Sequence, residues 1–247
     1  MFYDHPRGIP YKLLLVFILI LSLNVSLWLS VESIRTKWNN VPPVPGKVGA
    51  LWTALGDEQF AYRIYGIFIQ NMGDTGGRVI SLNDYDYEDL SEWFFLEHKL
   101  DPRSDFAPFL AGYFFGNVRD PEKLRHLVDY LDVAAGDGQG QKWRFLAQAV
   151  FLARFKMEDL DRALDLANKL SAIENPDMAP WARQMPAFVL NAQGEKEAAF
   201  ELMVSLLQTE RENLHPNEVN AMLDFICTRT LDEGDPRLEQ ICQDYAE

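Results

Sequence analysis

The chain is predicted to fold as an all-α protein, one N-terminal transmembrane helix followed by an α-solenoid of paired antiparallel helices, and three observations predict it. Residues 13–31 (LLLVFILILSLNVSLWLSV) hold no charge and no proline. Beyond them, turn signals punctuate apolar segments of 12 to 20 residues: Gly73 to Gly77, Leu100-Asp101-Pro102, Arg119-Asp120-Pro121, Gly136 to Gly140, Asn175-Pro176, Gln193-Gly194, His215-Pro216 and Gly234-Asp235-Pro236. That is the rhythm of helical hairpins. Inside the segments apolar residues recur at three and four, as in Leu146, Val150, Ala153 and then Leu160, Ala163, Leu164, Ala167, Leu170, which is the helical period. Val79-Ile80-Ser81-Leu82 is the one short stretch with a strand-like composition.

Residues 1–12 form a short basic leader with Arg7 and Lys12. A helix over residues 13–31 reaches roughly 28 Å at about 1.5 Å per residue, close to the hydrocarbon thickness of a bilayer. A cleavable signal peptide would have a shorter apolar core and a small-x-small cleavage site, whereas the chain continues Glu32-Ser33-Ile34-Arg35-Thr36-Lys37-Trp38. Trp28 and Trp38 bracket the far end, where indoles favour the headgroup level. Arg35 and Lys37 balance Arg7 and Lys12, so the positive-inside rule does not orient the helix. A short leader before a large domain resembles a signal anchor. It implies a single-pass inner (cytoplasmic) membrane protein with its N-terminus cytoplasmic and its bulk periplasmic.

Residues 32–48 form a Pro-rich linker containing Pro42, Pro43 and Pro45. It reads equally as a semi-rigid polyproline spacer or as a plain helix stop. Residues 49–247 are the helical domain, ending in C-terminal capping helices. The chain has 23 Lys and Arg against 37 Asp and Glu, a net charge of −14. Residues 1–31 contribute +1 (Arg7 and Lys12 against Asp4), so the remainder carries −15. Phosphate backbones repel such a surface, so nucleic acid is excluded as a partner and proteins are expected, above all subunits of a membrane complex.

Leu90 with Phe94, Leu124 with Val128, Ala163 with Ala167 and Ala199 with Met203 mark equivalent points of successive helices, at spacings of 34, 39 and 36 residues. Thirty-four is the tetratricopeptide period. Leu100-Asp101-Pro102 falls where that repeat closes, Gly112 at the small position of its first helix, and Gln193-Gly194 at its interhelix turn. Residues of roughly 57 to 215 therefore resemble a tetratricopeptide-like array, with departures at Arg78 and in the Gly136 to Gly140 insertion. The resemblance implies a concave surface lined by first helices. With Gly112, Phe151 and Ala187 as equivalent small-side positions, the inward-facing residues are Phe106, Phe109, Tyr113 and Asn117, then Phe145 and Gln148, then Trp181, Gln184, Phe188 and Asn191. Rings supply contact area and amides satisfy the backbone of a bound peptide. The same rings at helical spacing suit packing against a neighbouring helix. Pro186 is expected to kink the chain, because proline removes a hydrogen bond, so residues 177 to 192 are not expected to form one straight helix.

Chemistry is sparse. His5, His98, His126 and His215 have no partner three or four residues away, so no zinc spacing exists. The acidic run Asp84-Tyr85-Asp86-Tyr87-Glu88-Asp89 lacks the glycine of a calcium loop and suits the first turn of a helix. Gly136 to Trp143 lacks the Ser or Thr of a phosphate loop, and no nucleophile motif appears. No enzyme, metal or cofactor is expected. Cys227 and Cys242 lie 7 residues before and 8 after Gly234. If that turn closes a hairpin they could pair, and otherwise they are two buried thiols. Ser22, Ser26 and Ser30 fall on one face of the apolar helix and permit close helix packing. These features suit two functions: a membrane-anchored scaffold that recruits proteins, or a structural accessory subunit held through its transmembrane helix.

Overall fold

The computed structural model describes residues 11–32, 40–73, 80–136, 138, 140–211 and 214–242. The leader through Pro10, the stretch with Arg35, Lys37 and Trp38, and residues 74–79, including Arg78 and Val79, lie outside the described residues. Helix accounts for 75% of the chain, with no strand among the described residues, so the protein is all-α. Residues 82–84, in the stretch with strand-like composition, are a short 3-10 turn. The chain divides into two units, Met1–Trp38 and Asn39–Glu247.

The first unit is the helix α1, Tyr11–Glu32. Its segment Tyr11–Ser30 has a mean hydropathy of 2.4, long and apolar enough to cross a membrane. Ser30 Oγ donates to Ser26 O at 2.8 Å, so that hydroxyl is satisfied inside its own helix.

The second unit begins within the expected linker. Val41 is buried, Asn40 Nδ2 donates to Asp84 O at 3.1 Å, and Pro42 O accepts from Trp93 Nε1 at 2.8 Å. Residues from Asn40 onward thus lie against the domain. Its helices are α2 (Lys47–Thr53), α3 (Glu58–Gln70), α4 (Tyr87–Leu100), α5 (Phe106–Phe109), α6 (Pro121–Ala135), α7 (Trp143–Phe151), α8 (Leu160–Ser171), α9 (Pro180–Gln193), α10 (Lys196–Glu210), α11 (Pro216–Phe225) and α12 (Arg237–Ile241). Three of them continue as five-residue π turns, α5 through Leu110–Phe114, α7 through Leu152–Lys156 and α11 through Ile226–Thr230.

Aspartates start the helices, because a carboxylate satisfies the first free amides and complements the dipole. Asp57 accepts from Phe60 N at 3.0 Å, Asp120 from Glu122 N at 3.0 Å and Asp159 from Arg162 N at 3.0 Å. Asp86 accepts from Glu88 N at 3.1 Å and Asp89 N at 3.2 Å, so the acidic run begins α4. At the other end of a helix, Gly194 takes φ 87° after α9, and Glu195 N reaches back to Leu190 O at 2.9 Å. A left-handed residue there favours glycine. Helix α9 runs from Pro180 to Gln193 with Pro186 inside it. The ring is buried in the packing of α9, and tertiary contact outweighs the one lost hydrogen bond.

Packing follows chain order: α3 lies on α4, α4 on α6, α6 on α7, α7 on α8, α8 on α9 and α9 on α10. Helices α4, α6, α8 and α10 begin at 87, 121, 160 and 196, and Leu90, Leu124, Ala163 and Ala199 sit at the same point of each with no exposed surface. One core runs from Val41 to Val189, and a second, smaller one joins Ala187, Phe200, Met203, Met222 and Ile226. Arg162 ties α8 to α6 through Asp129 at 2.8 Å and Asp132 at 3.2 Å.

The main core holds a carboxyl. Glu97 on α4 is fully buried and neither oxygen has a hydrogen-bond partner, and the buried Tyr130 hydroxyl on α6 also has none. Burial, reinforced by the charge of Asp101, pushes the Glu97 carboxyl up to about 8 from its ordinary 4.5. The native protein thus keeps this proton across a range in which the unfolded chain releases it, so stability is lost as pH rises from about 4.5 to about 8 and then levels. Glu97→Gln should remove this dependence: the melting temperature of the wild type relative to the variant, followed by circular dichroism, should fall between about pH 5 and about pH 8.

Candidate functional site: an aromatic cleft across the first helices

Helices α5, α7 and α9 present one face of the domain, and the π turns decide what that face carries. A π turn adds a residue to the helical turn and rotates the residues after it. After α5 it leaves both Tyr113 and Phe114 exposed, and Phe109 stacks on Tyr113 with ring centroids 5.1 Å apart. On α7 and its π turn, Phe151 and Phe155 are exposed and in contact at 5.2 Å. On α9, Trp181 is exposed and meets Trp143 edge to face at 5.5 Å.

Between these helices lies a cleft of about 460 Å³. Tyr113, Gln148, Phe151, Trp181 and Met185 line it, with Arg144 and the edge of Trp143. Arg144 is exposed and stands over the Trp143 ring at 5.4 Å, which sets a cation beside the rings. Gly112 forms the closest approach at this site. A Cβ built there would stand 3.0 Å from Gln148 Cγ and 3.4 Å from Leu131 Cδ1. Gln148 Nε2 donates to Gly112 O at 3.1 Å, locking α7 to the π turn.

The ten residues expected on an inner surface therefore divide. Tyr113, Gln148 and Trp181 come together in the cleft, and Phe109 extends it by stacking on Tyr113. Phe106 is exposed to the same extent as Trp181, but its ring lies against Gly66 of α3, outside the cleft. Asn117 is exposed, yet its amide donates to Tyr113 O at 2.7 Å and Phe114 O at 3.3 Å, covering carbonyls that the π turn leaves open. Phe145 and Gln184 are corrections: both are buried, Phe145 in the main core and Gln184 bonded to Glu218 Oε2 at 3.3 Å on α11. Phe188 packs on Phe225 at 4.9 Å in the second core, and Asn191 Oδ1 is buried. The register fails along α9 because a neighbouring pair, α11 with its π turn, covers that flank.

Sequence reasoning missed Phe151, Phe155, Phe114, Met185 and Arg144. Phe109 with Tyr113 and Phe151 with Phe155 are both pairs four residues apart, a spacing that places rings side by side on one helix face. That repeated pairing was the available signal. No three His, Cys, Asp or Glu side chains cluster as metal ligands among the described residues.

No family model matches the chain, and no curated protein or solved structure matches it significantly. The cleft is therefore interpreted from its own chemistry.

Gly112→Val should force Gln148 away and break its bond to the Gly112 carbonyl, costing about 1 to 3 kcal/mol as overpacking does. Urea unfolding followed by circular dichroism measures that loss.

Proposed function

We propose that this protein is a single-pass inner-membrane scaffold, anchored by α1, whose tetratricopeptide-like solenoid holds a segment of a partner protein in the cleft between α5, α7 and α9. The observation that carries the proposal is the cleft itself: Tyr113, Phe151 and Trp181 remain exposed at its lining although the domain has a large core in which rings are readily buried. Exposed aromatic clusters of this kind mark binding surfaces more often than isolated exposed rings do. The apolar lining suits one or two apolar side chains of a peptide, Gln148 is placed to meet its backbone, and Arg144 favours a carboxylate beside them. The recurrent helix pairs, with equivalent buried positions at Leu90, Leu124, Ala163 and Ala199, support the solenoid reading.

Export of the domain is supported by Cys227 and Cys242, which are joined as a disulfide with Cα atoms 6.1 Å apart. Such bonds persist in oxidising compartments. In protein extracted from membranes without reductant, both thiols should resist alkylation until a reducing agent is added.

A second reading, an accessory subunit held mainly through α1, draws on the stripe of Ser22, Ser26 and Ser30. The bond from Ser30 Oγ to Ser26 O weakens it, since a hydroxyl satisfied within its own helix needs no neighbour. The two readings separate in one experiment. Tyr113→Ala and Trp181→Ala should each abolish co-purification of the partner from solubilised membranes with the melting temperature nearly unchanged. Replacing Ser22, Ser26 and Ser30 by Leu should leave the partner bound, and the reverse pattern would favour the accessory-subunit reading.

A further inference from the structure

The least protected apolar surface of the domain lies at its beginning. Helix α2 turns Ala50 into the core, and Ala54 just beyond it is equally buried, while Val48, Trp52 and Leu55 are 70%, 80% and 94% exposed. Val48 and Trp52 stand four residues apart on one side of the helix, and the turn that follows brings Leu55 beside them to complete an apolar ridge. They surround, with Leu51 and Gly56, an apolar recess of about 450 Å³. Leu55 has φ 56°, a left-handed conformation that a branched apolar side chain adopts only under constraint. The turn is held by Gly56 N donating to Leu51 O at 2.8 Å, and its result is to aim an isobutyl group straight outward.

We infer that this ridge dips into the interfacial layer of the same bilayer that α1 crosses, giving the domain a second, non-covalent hold on the membrane. The inference rests on the proposed anchoring by α1. Its first support is the tether. Asn40 is bound to Asp84 and Val41 is buried, so only residues 33–39 are left between the end of α1 and the folded domain. Eight peptide steps span at most about 29 Å when fully extended. A domain tethered this closely meets the lipid surface at a high effective concentration, so a modest apolar ridge suffices. The second support is composition. An indole flanked by aliphatic side chains is the residue set that partitions at the boundary of headgroups and acyl chains. Charge adds nothing to this hold: Lys47 is paired with Glu58 at 2.8 Å and donates to Lys99 O at 3.2 Å, and the chain is acidic overall, so the contact is with apolar lipid and not with anionic headgroups.

The test uses the full chain reconstituted in phosphatidylcholine vesicles containing a phosphatidylcholine with a diazirine near the top of its acyl chain. After photolysis and trypsin digestion, lipid adducts are expected on two peptides, Leu13–Arg35 from the anchor and Val48–Arg63 from the ridge. Trp52→Glu with Leu55→Glu should reduce the adducts on the second peptide about tenfold or more, because an interfacial ridge that loses its apolar side chains loses its binding. The first peptide should be unaffected. Both substitutions fall on exposed side chains, and an unchanged circular dichroism spectrum confirms that the domain stays folded. Adducts on Leu13–Arg35 with none on Val48–Arg63 in the wild type overturn the ridge and leave the anchor standing. Adducts on Val48–Arg63 alone support the ridge and overturn the anchor. Cross-linking of Lys47 to a second copy of the chain by a lysine-reactive reagent in the same vesicles, with no lipid adduct on Val48–Arg63, assigns the ridge to a protein contact and also overturns the inference.

Discussion

How closely neighbouring helices approach one another sets the design of this domain, and small side chains set that distance. Ala61, Ala111, Ala149, Ala153, Ala163, Ala167, Ala182 and Ala199 have no exposed surface, and they lie in α3, in the π turn after α5, in α7 and its π turn, and in α8, α9 and α10. Separation between packed helices depends on the residues at the contact. Where both faces are built from alanine and glycine, backbones come near enough for a side chain of one helix to bond the backbone of the next, as Gln148 does at Gly112. Part of the aromatic content collects between α4, α6 and the residues after α5, where Phe94 stacks on Tyr130 at 5.2 Å and meets Phe115 at 5.7 Å. Trp143 and Phe145 of α7 are buried as well, and the exposed rings Tyr113, Phe151 and Trp181 line the cleft.

The π turns belong to the same economy of space. Each ends a first helix by widening it, which breaks the ordinary ladder and leaves carbonyls to satisfy. In α5 the Asn117 amide takes two of them; after α11, Thr230 Oγ1 donates to Ile226 O at 2.8 Å; and after α7 the chain itself turns back, Asp159 N reaching Ala153 O at 2.9 Å. These local bonds make a rotated helix end a stable one. Both Tyr113 and Phe114 lie in the π turn after α5 and are exposed.

The all-α class, the apolar helix and most helix boundaries were legible in the sequence, because aspartate caps, proline starts and the left-handed Gly194 are local signals that act within a few residues. The equivalent positions Leu90, Leu124, Ala163 and Ala199 were legible for a related reason: a buried point that recurs once per helix pair leaves a period in the chain. The cleft was only partly so. Tyr113 and Trp181 follow from helix register, but Phe155 sits in a π turn that no residue type announces, and the burial of Phe145 and Gln184 depends on neighbours distant in the chain. Glu97 was invisible for the same reason, since a glutamate four residues after Trp93 reads as a surface position until α3 and α6 close over it.

The far end of the domain obeys a different constraint. Helix α12 contributes no buried residue and α11 only Met222, and the second core is a fraction of the first. A terminal helix pair has a neighbour on one side alone, so it gains about half the burial of an internal pair while losing the same chain entropy. Two cross-links offset that deficit. Arg237 grips Glu197 of α10 through Nη1 at 2.6 Å and Nη2 at 3.0 Å, and the Cys227–Cys242 disulfide closes a 15-residue span across the last turn. A loop of this length loses entropy in the unfolded chain worth about 3 kcal/mol, comparable to burying one large apolar side chain. The bond thus adds to this small core about what one more buried side chain would supply.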